Sequence, residues 1–240
     1  MTKETILSYL KDHPWGQTLT VLPTVGSTNT YLKELARSGA PHGTVVIADH
    51  QTHGRGRRGR SFLSPKGSGL YLSVLLRQEP DLRLTPMAAE AVRRGILEAG
   101  GPQVQIKWIN DLVLDGKKLC GILTELCGDG VIIGIGINCT GIPHEVATSL
   151  EASGYPCDRS RLAAAVVSQL SRMSPAWMAD YKAHCLTVGQ DVQLVQNGIV
   201  RMAHADDLDE MGALLVTLPD GTKERIFSGE ASVRGLYGYI

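Results

Sequence analysis

Apolar and polar positions follow two different periods along this chain. Between residues 27 and 39, Leu32, Leu35 and Ala36 recur at helical spacing. Ser27, Thr28 or Asn29 can cap that helix and Gly39 can end it. Thr2 to Lys11 reads as a second short helix. Thr44 to Asp49 is a β-branched run of the kind found in buried strands, and Gly69 to Arg77 alternates with Leu70, Leu72, Val74 and Leu76 on one face. Thr85-Pro86 then opens a helix, with Thr85 as its cap and Pro86 at its first position, that runs to Gly100-Gly101. Four strands are predicted next, over Val104–Trp108, Leu112–Leu114, Lys118–Leu126 and Val131–Asn138. Asp115-Gly116 and Asp129-Gly130 are hairpin signals between them, which favours a largely antiparallel sheet over repeated βαβ units. Asp158 to about Cys185 is helical in pattern, with an interruption at Ser174-Pro175.

The pattern changes at Val188. Short strands then recur about every eight to twelve residues, punctuated by Asn197-Gly198 and Asp220-Gly221, as in a small barrel. The expectation is therefore an α/β (α+β) chain in two parts, a mixed-sheet domain over residues 1–187 and a small β-barrel over 188–240.

Composition narrows the function classes. The chain has 240 residues, 43% of them hydrophobic and 20% charged, an ordinary globular mixture. Lys plus Arg number 24 and Asp plus Glu number 24, so no overall field draws the protein to nucleic acid or anionic lipid. The second part carries eight acidic and four basic residues, a balance of −4, which argues against a nucleic-acid-binding barrel. Apolar runs such as Val131 to Ile137 are far below the ~20 residues of a membrane helix. Lys3, Glu4, Lys11 and Asp12 break up any signal-peptide core. Five cysteines, at 120, 127, 139, 157 and 185, form an odd set without a CxxC pair, as in a reduced cytoplasmic chain lacking metal knuckles or a disulfide framework.

Against this neutral background one loop stands out. In Gln51 to Arg60, Arg55, Arg57, Arg58 and Arg60 are separated by Gly56 and Gly59 and preceded by Gly54. Arginine forks suit phosphate and carboxylate, and glycine lets backbone N–H groups approach a ligand. Four like charges without an apolar anchor predict a loop that a polyanion would order. An Arg/Gly loop alone is as compatible with a solvated surface loop, or with RNA binding, as with a catalytic role. Its position between two strands of a folded domain argues against RNA.

Two further segments add to it. Lys107-Trp108-Ile109-Asn110-Asp111 ends one strand and starts another, and places a lysine on a mostly apolar strand, where an anion is one natural partner and a snorkelling surface position the plainer one. Ser27-Thr28-Asn29 groups three hydrogen-bonding side chains at a helix start, where simple capping would also account for them.

Taken in order, VGSTNTYL (25–32), QTHGRGRRGRSF (51–62), GSGLYLSVLLR (67–77), KWINDLVLDGKKLCGILTEL (107–126) and VIIGIGIN (131–138) resemble the biotin–protein ligase family, and ALLVTLPDG (213–221) and FSGEASVR (227–234) are similar to its small C-terminal barrel. The resemblance covers about residues 20–240. It implies a class II-synthetase-like mixed-sheet catalytic domain with a C-terminal SH3-like β-barrel. It also implies a cytoplasmic enzyme that uses ATP and Mg²⁺ to convert biotin to biotinyl-5′-AMP, then passes biotin to a lysine of a biotin carboxyl carrier protein domain. By resemblance Lys107, Arg55 and Arg57 are catalytic. Ser27, Thr28, Asn29, Gln51, Gly54 and Gly56, with those three, hold biotin. Arg57, Arg58, Phe62, Asn110 and Asn138 hold ATP or the adenylate, and Asp111 is the metal candidate. The family usually has proline where this chain has Ile109. The winged-helix DNA-binding domain of repressor members has no counterpart before Val25, so DNA binding is not expected; pairing of two copies through the catalytic-domain sheet is admitted. A lipoate–protein ligase or octanoyltransferase is the second enzyme reading, and Ser27-Thr28-Asn29 with the Arg/Gly loop argues against it, because an acyl chain has no ureido group.

Overall fold

The computed structural model describes residues 1–141, 145–196, 198–227 and 232–235. Asn197 of the expected hairpin turn, residues 228–231 of the tail motif and residues 236–240 lie outside the described residues.

The first part is a seven-stranded sheet. In chain order its strands are β1 (Leu19–Leu22), β2 (Val45–Ala48), β3 (Gly69–Leu76), β4 (Gln105–Lys107), β5 (Asp111–Leu114), β6 (Lys117–Cys127) and β7 (Gly130–Asn138). Their spatial order is β1-β2-β3-β7-β6-β5-β4. β1 and β2 are parallel and every other neighbouring pair is antiparallel, as the hairpin signals predicted. β1 escaped the pattern reading because LTVL is too short to show a period; its pairing with β2 makes it a strand.

Helices cover the sheet unequally. α1 (Lys3–Leu10), α3 (Leu84–Glu98) and α4 (Arg159–Leu170) pack on one face, while α2 (Thr28–Arg37) lies on the other. Leu70, Leu72, Val74 and Leu76 of β3 join Ile133 and Ile137 of β7 in the larger core, and Leu75 and Ile132 join Leu32 and Ala36 of α2 in a smaller one. All of β3 is therefore buried, not only the leucine face. α2 is short, and beyond its reach the same sheet face carries Ser73, Gly134, Gly136 and Gly121. Those small residues sit side by side by register: Ser73 opposite Gly134, and Gly136 opposite both Tyr71 and Gly121. Where α2 ends, Ser73 and the three glycines leave the sheet face low, and a hollow remains beside Leu123.

Two local expectations need correction. Thr85 is not the cap of α3, which begins at Leu84; the Thr85 hydroxyl instead meets Thr124 Oγ1 at 2.9 Å, and Asp81 Oδ1 accepts the Arg83 N–H at 2.8 Å ahead of the helix. The turn between β6 and β7 is Gly128-Asp129, since Cys127 pairs with Gly130 and Gly128 takes the positive φ of 56°. Asp115-Gly116 is the turn expected, with φ of 51° and 72°. The helical stretch after Asp158 divides into α4 and α5 (Met178–Ala183), with a 3-10 turn at Pro175–Trp177 between them.

The second part is an antiparallel five-stranded sheet of β8 (Asp191–Gln196), β9 (Ile199–Leu208), β10 (Leu214–Thr217), β11 (Lys223–Ile226) and β12 (Ser232–Gly235), in the order β11-β10-β9-β8-β12. It is fastened to the first part at the strand end after Lys107, where Trp108 Nε1 donates to Gly212 O at 2.9 Å; Trp108 N donates to Thr187 Oγ1, in the segment leading to β8, at 2.9 Å. No helix among the described residues is long and apolar enough to cross a membrane.

Candidate active site

The hollow beyond α2 is a cavity of about 570 Å³ roofed by the Arg/Gly loop. Its floor is the small-residue patch of β3, β7 and β6. A side chain at Gly136 would put a Cβ 2.4 Å from the Phe62 ring, and one at Gly134 would lie 2.1 Å from Asn29 Oδ1. Glycine is thus required at both positions for Phe62 and Asn29 to lie flat on the sheet.

At one end of the cavity the start of α2 supplies hydrogen-bonding groups. Ser27, Thr28 and Asn29 are all buried. Thr28 N and Oγ1 both donate to Gln51 Oε1, at 2.9 and 3.1 Å, and Gln51 Nε2 donates to Ser64 Oγ at 2.9 Å. Ser73 Oγ lies 2.7 Å from Thr28 Oγ1 and 2.5 Å from Asn29 Oδ1. Asn29 Nδ2 donates to Glu125 Oε2 at 2.8 Å. Ser27 makes no cap bond to α2; the trio is a polar wall rather than a set of caps.

The other end is cationic. Lys107 is 9% exposed at the end of β4, opposite Asp111, which excludes the snorkelling position. Arg55, Arg57, Arg58 and Arg60 line the cavity with it, as does Lys118, whose Nζ donates to Asp111 Oδ1 at 2.7 Å. Arg57 NH1 donates to Asn110 Oδ1 at 2.9 Å, and Asn110 Nδ2 donates to Ile122 O at 2.8 Å. Burial pulls the Arg57 guanidinium below its ordinary pKa, Asp111 works against that, and Arg58 and Arg60 add to it; even so lowered, an arginine keeps its charge at neutral pH. The loop closes on itself through a bridge between Arg55 and Ser61, with Gly56 N donating to Arg60 O at 2.7 Å. Arg58, at φ 56°, extends NH1 to Val195 O of β8 at 3.3 Å. Gln193 and Val233 of the second sheet also line the cavity, so both parts of the chain build it.

The structure gathers most of the residues singled out from the sequence around this cavity: Ser27, Thr28, Asn29, Gln51, Arg55, Gly56, Arg57, Arg58, Phe62, Lys107, Asn110 and Asp111 line it. Two stand off the lining. Gly54 is pressed against the loop's own backbone, where a Cβ would be 2.2 Å from Phe62 O. Asn138 is buried and donates from Nδ2 to Thr148 O at 2.9 Å. Lys118 and Gln193 line the cavity, and Ser73, Ser64 and Glu125 stand behind its wall, without having been singled out. A serine and a glutamate inside otherwise apolar strands were the signals available for Ser73 and Glu125.

A deep polar and cationic cleft on a sheet, under a glycine-rich arginine loop, is the arrangement of an enzyme that joins an acid to a nucleotide. The same fold is found in the biotin protein ligase from Aquifex aeolicus, solved in complex with biotin and ATP, with a TM-score of 0.80 and 33% identity over 90% of this chain and 98% of that one. Residues 21–140 match the model of the biotin/lipoate A/B protein ligase family. The chain is 35% identical to the bifunctional ligase/repressor BirA of Bacillus subtilis over 92% of its own length and 75% of that protein's. It is also 35% identical to the biotin–[acetyl-CoA-carboxylase] ligase of Mycobacterium tuberculosis over 83% of each. The chain belongs to the biotin/lipoate A/B protein ligase family and is a ligase.

Proposed function

We propose that this chain is a biotin–protein ligase that makes biotinyl-5′-AMP and then biotinylates a lysine of the biotin carboxyl carrier protein of acetyl-CoA carboxylase or a related carboxylase. The observation that carries the reading is the buried Lys107 between a polar wall and an arginine roof in one cavity. The polar wall suits a cyclic urea, whose C=O and two N–H groups need both donors and acceptors. A lipoyl or octanoyl chain would set an apolar group against that wall and use none of its donors or acceptors.

In the first step a biotin carboxylate oxygen forms a bond to the α-phosphorus of ATP, and the bond to the bridging oxygen breaks to release pyrophosphate. Lys107, buried in the cavity lining, would touch both the carboxylate and the α-phosphate, offsetting the repulsion of two anions and the charge that builds on phosphorus. Ser27, Thr28, Asn29 and Gln51 hold the ureido end, and Gly54 lets the loop backbone approach it. Arg55, Gly56 and Arg57 close over the mixed anhydride and exclude water, which would hydrolyse it. Arg58, Phe62 and Asn110 hold the nucleotide, with Phe62 offering a stacking face to adenine; Asn138, expected with them, stands off the lining with its amide on Thr148 O. In the second step the neutral ε-amine of the carrier lysine attacks the acyl carbon, an amide forms, the amine gives up a proton and AMP leaves.

Mg²⁺ characteristically takes one or two protein oxygens plus phosphate. Among the described residues no cluster of three or more His, Cys, Asp or Glu side chains is placed to hold a metal ion. Asp111 is the one carboxylate of those residues in the cavity lining, and with Lys118 on its Oδ1 it would offer the ion a carboxylate oxygen. There it would hold the ion beside the triphosphate, where the ion supplies charge neutralisation. The reading includes a catalytic domain of class II-synthetase type over residues 1–187, an SH3-like barrel over 188–240, a cytoplasmic location and pairing of two copies through the catalytic sheet. Biotin-dependent exchange of labelled pyrophosphate into ATP tests it. Exchange with biotin and none with lipoate or octanoate is expected, and exchange with lipoate or octanoate but not biotin would replace it by the lipoate–protein ligase reading.

A further inference from the structure

Glu125 lies behind the cavity wall rather than in it, yet it meets three groups from two other segments, two of which, Asn29 and Arg55, line the cavity. Its Oε2 accepts from Asn29 Nδ2 at 2.8 Å, its Oε1 accepts from Lys33 Nζ at 2.7 Å, and Arg55 NH2 is 3.5 Å from Oε1. Burial alone would raise its pKa, but the bonds from Lys33 and Asn29, with the Lys33 and Arg55 charges, bring it below the usual carboxylate range. It is therefore an acceptor only at neutral pH.

This fixes the sense of the bonds around it. The amide of Asn29 can present only Nδ2 to the carboxylate, so Oδ1 turns to Ser73 and takes that residue's single hydroxyl proton. With the Ser73 proton committed to Asn29, Thr28 Oγ1 receives none from Ser73, and its own proton is shared between Ser73 Oγ at 2.7 Å and Gln51 Oε1 at 3.1 Å. Toward the cavity Thr28 Oγ1 is left as an acceptor. With the Asn29 amide reversed, Nδ2 would face Ser73, the Ser73 proton would turn onto Thr28 Oγ1, and one acceptor site would be used up. We infer that Glu125 is a positioning residue that acts through Asn29 and Ser73 to keep Thr28 an acceptor for ligand N–H groups, while its Oε1 steadies Arg55 above them. The inference rests on the biotin reading, since a cyclic urea brings two N–H donors.

Glu125→Gln keeps the shape and removes the directionality, because a side-chain amide can face either end of Asn29. Calorimetric titration with biotin, without ATP, of the parent, Glu125→Gln, Asn29→Ala and the double variant provides the test. Glu125→Gln is expected to weaken biotin roughly fivefold, and the double variant to be no weaker than Asn29→Ala within about twofold, because a relay through one residue is non-additive. Parent-like affinity in Glu125→Gln, or penalties that multiply in the double variant, would overturn the inference. Ser73→Ala tests the same relay without touching the ion pairs, because it removes the proton that could turn onto Thr28 Oγ1. The Glu125→Gln penalty, or the Asn29→Ala penalty where Glu125→Gln does not fold, is expected to shrink in the Ser73→Ala background, and an unchanged penalty overturns the inference. A folded parent that does not bind biotin defeats the functional reading instead, before Glu125 is reached.

Discussion

Arg57 NH1 donates to Asn110 Oδ1 at 2.9 Å, and this bond joins the arginine loop to the turn that follows Lys107. The roof of the cavity and its buried lysine are therefore held in one register. Asn110 is in turn fixed to β6, through Nδ2 to Ile122 O and through its own carbonyl from Ile122 N at 2.9 Å. Arg57, Asn110 and Ile122 thus set how the loop stands over the strand end.

Removing the roof contact should free the intermediate. Arg57→Ala is expected to release biotinyl-AMP about tenfold faster, because a single charge-assisted bond in a closed site is worth about 1.5–3 kcal/mol. Following retained adenylate after rapid dilution checks this, and release at the parent rate would contradict the closing role.

Lys107 is expected to act on chemistry more than on folding. Lys107→Ala should lower biotin-dependent pyrophosphate exchange by about 10² or more, the scale seen when a preorganised charge stabiliser is deleted. Its thermal midpoint should remain close to the parent's, since Trp108 keeps its bonds to Thr187 and Gly212. Unchanged exchange in a folded variant would remove Lys107 from the mechanism.

The floor gives a steric prediction. Gly136→Ala places a methyl group 2.4 Å from the present position of the Phe62 ring, so the ring must lift from the sheet. KM for ATP is expected to rise severalfold with KM for biotin less affected, and steady-state kinetics with each substrate varied separates the two. An equal rise in both would mean that Phe62 does not divide the cavity as described.

Acid stability should depend on His13. Its Nδ1 accepts the Trp15 N–H at 3.2 Å and its Nε2 lies 2.9 Å from Ser171 Oγ, an arrangement that needs the neutral ring. Burial, with Arg172 nearby, lowers its pKa below the ordinary imidazole range. The unfolded chain then binds the proton more readily, so this contribution is complete above about pH 6.5 and is lost as pH falls through the lowered value. The thermal midpoint of the parent should fall between pH 7.5 and 5.5, and that of His13→Asn should fall less. Identical pH slopes would show that other groups carry the effect.

How much of this was legible beforehand depended on how local each signal is. The Arg/Gly loop, Lys107 and Ser27-Thr28-Asn29 announce themselves within a few residues, and the structure brings them to one cavity. Glu125 and Ser73 meet Asn29 from 96 and 44 positions away, and only strand register puts them there. The Asp129-Gly130 signal shifted by one residue because Gly128 and Gly130 can both take a turn position, and pairing of Cys127 with Gly130 decides between them. Thr85 looked like a cap until Thr124 offered its hydroxyl a tertiary partner. Gln193 entered the cavity through the packing of the second sheet, which no pattern along the chain encodes.

The central claim is that the cavity takes biotin and then traps it with ATP. Calorimetry of the whole chain with biotin, followed by biotin plus Mg-ATP, tests it most directly, with lipoate and octanoate as control acids. Saturable biotin binding that becomes effectively irreversible with Mg-ATP is expected, with no heat from the controls. A folded protein that ignores biotin and binds octanoate would contradict it.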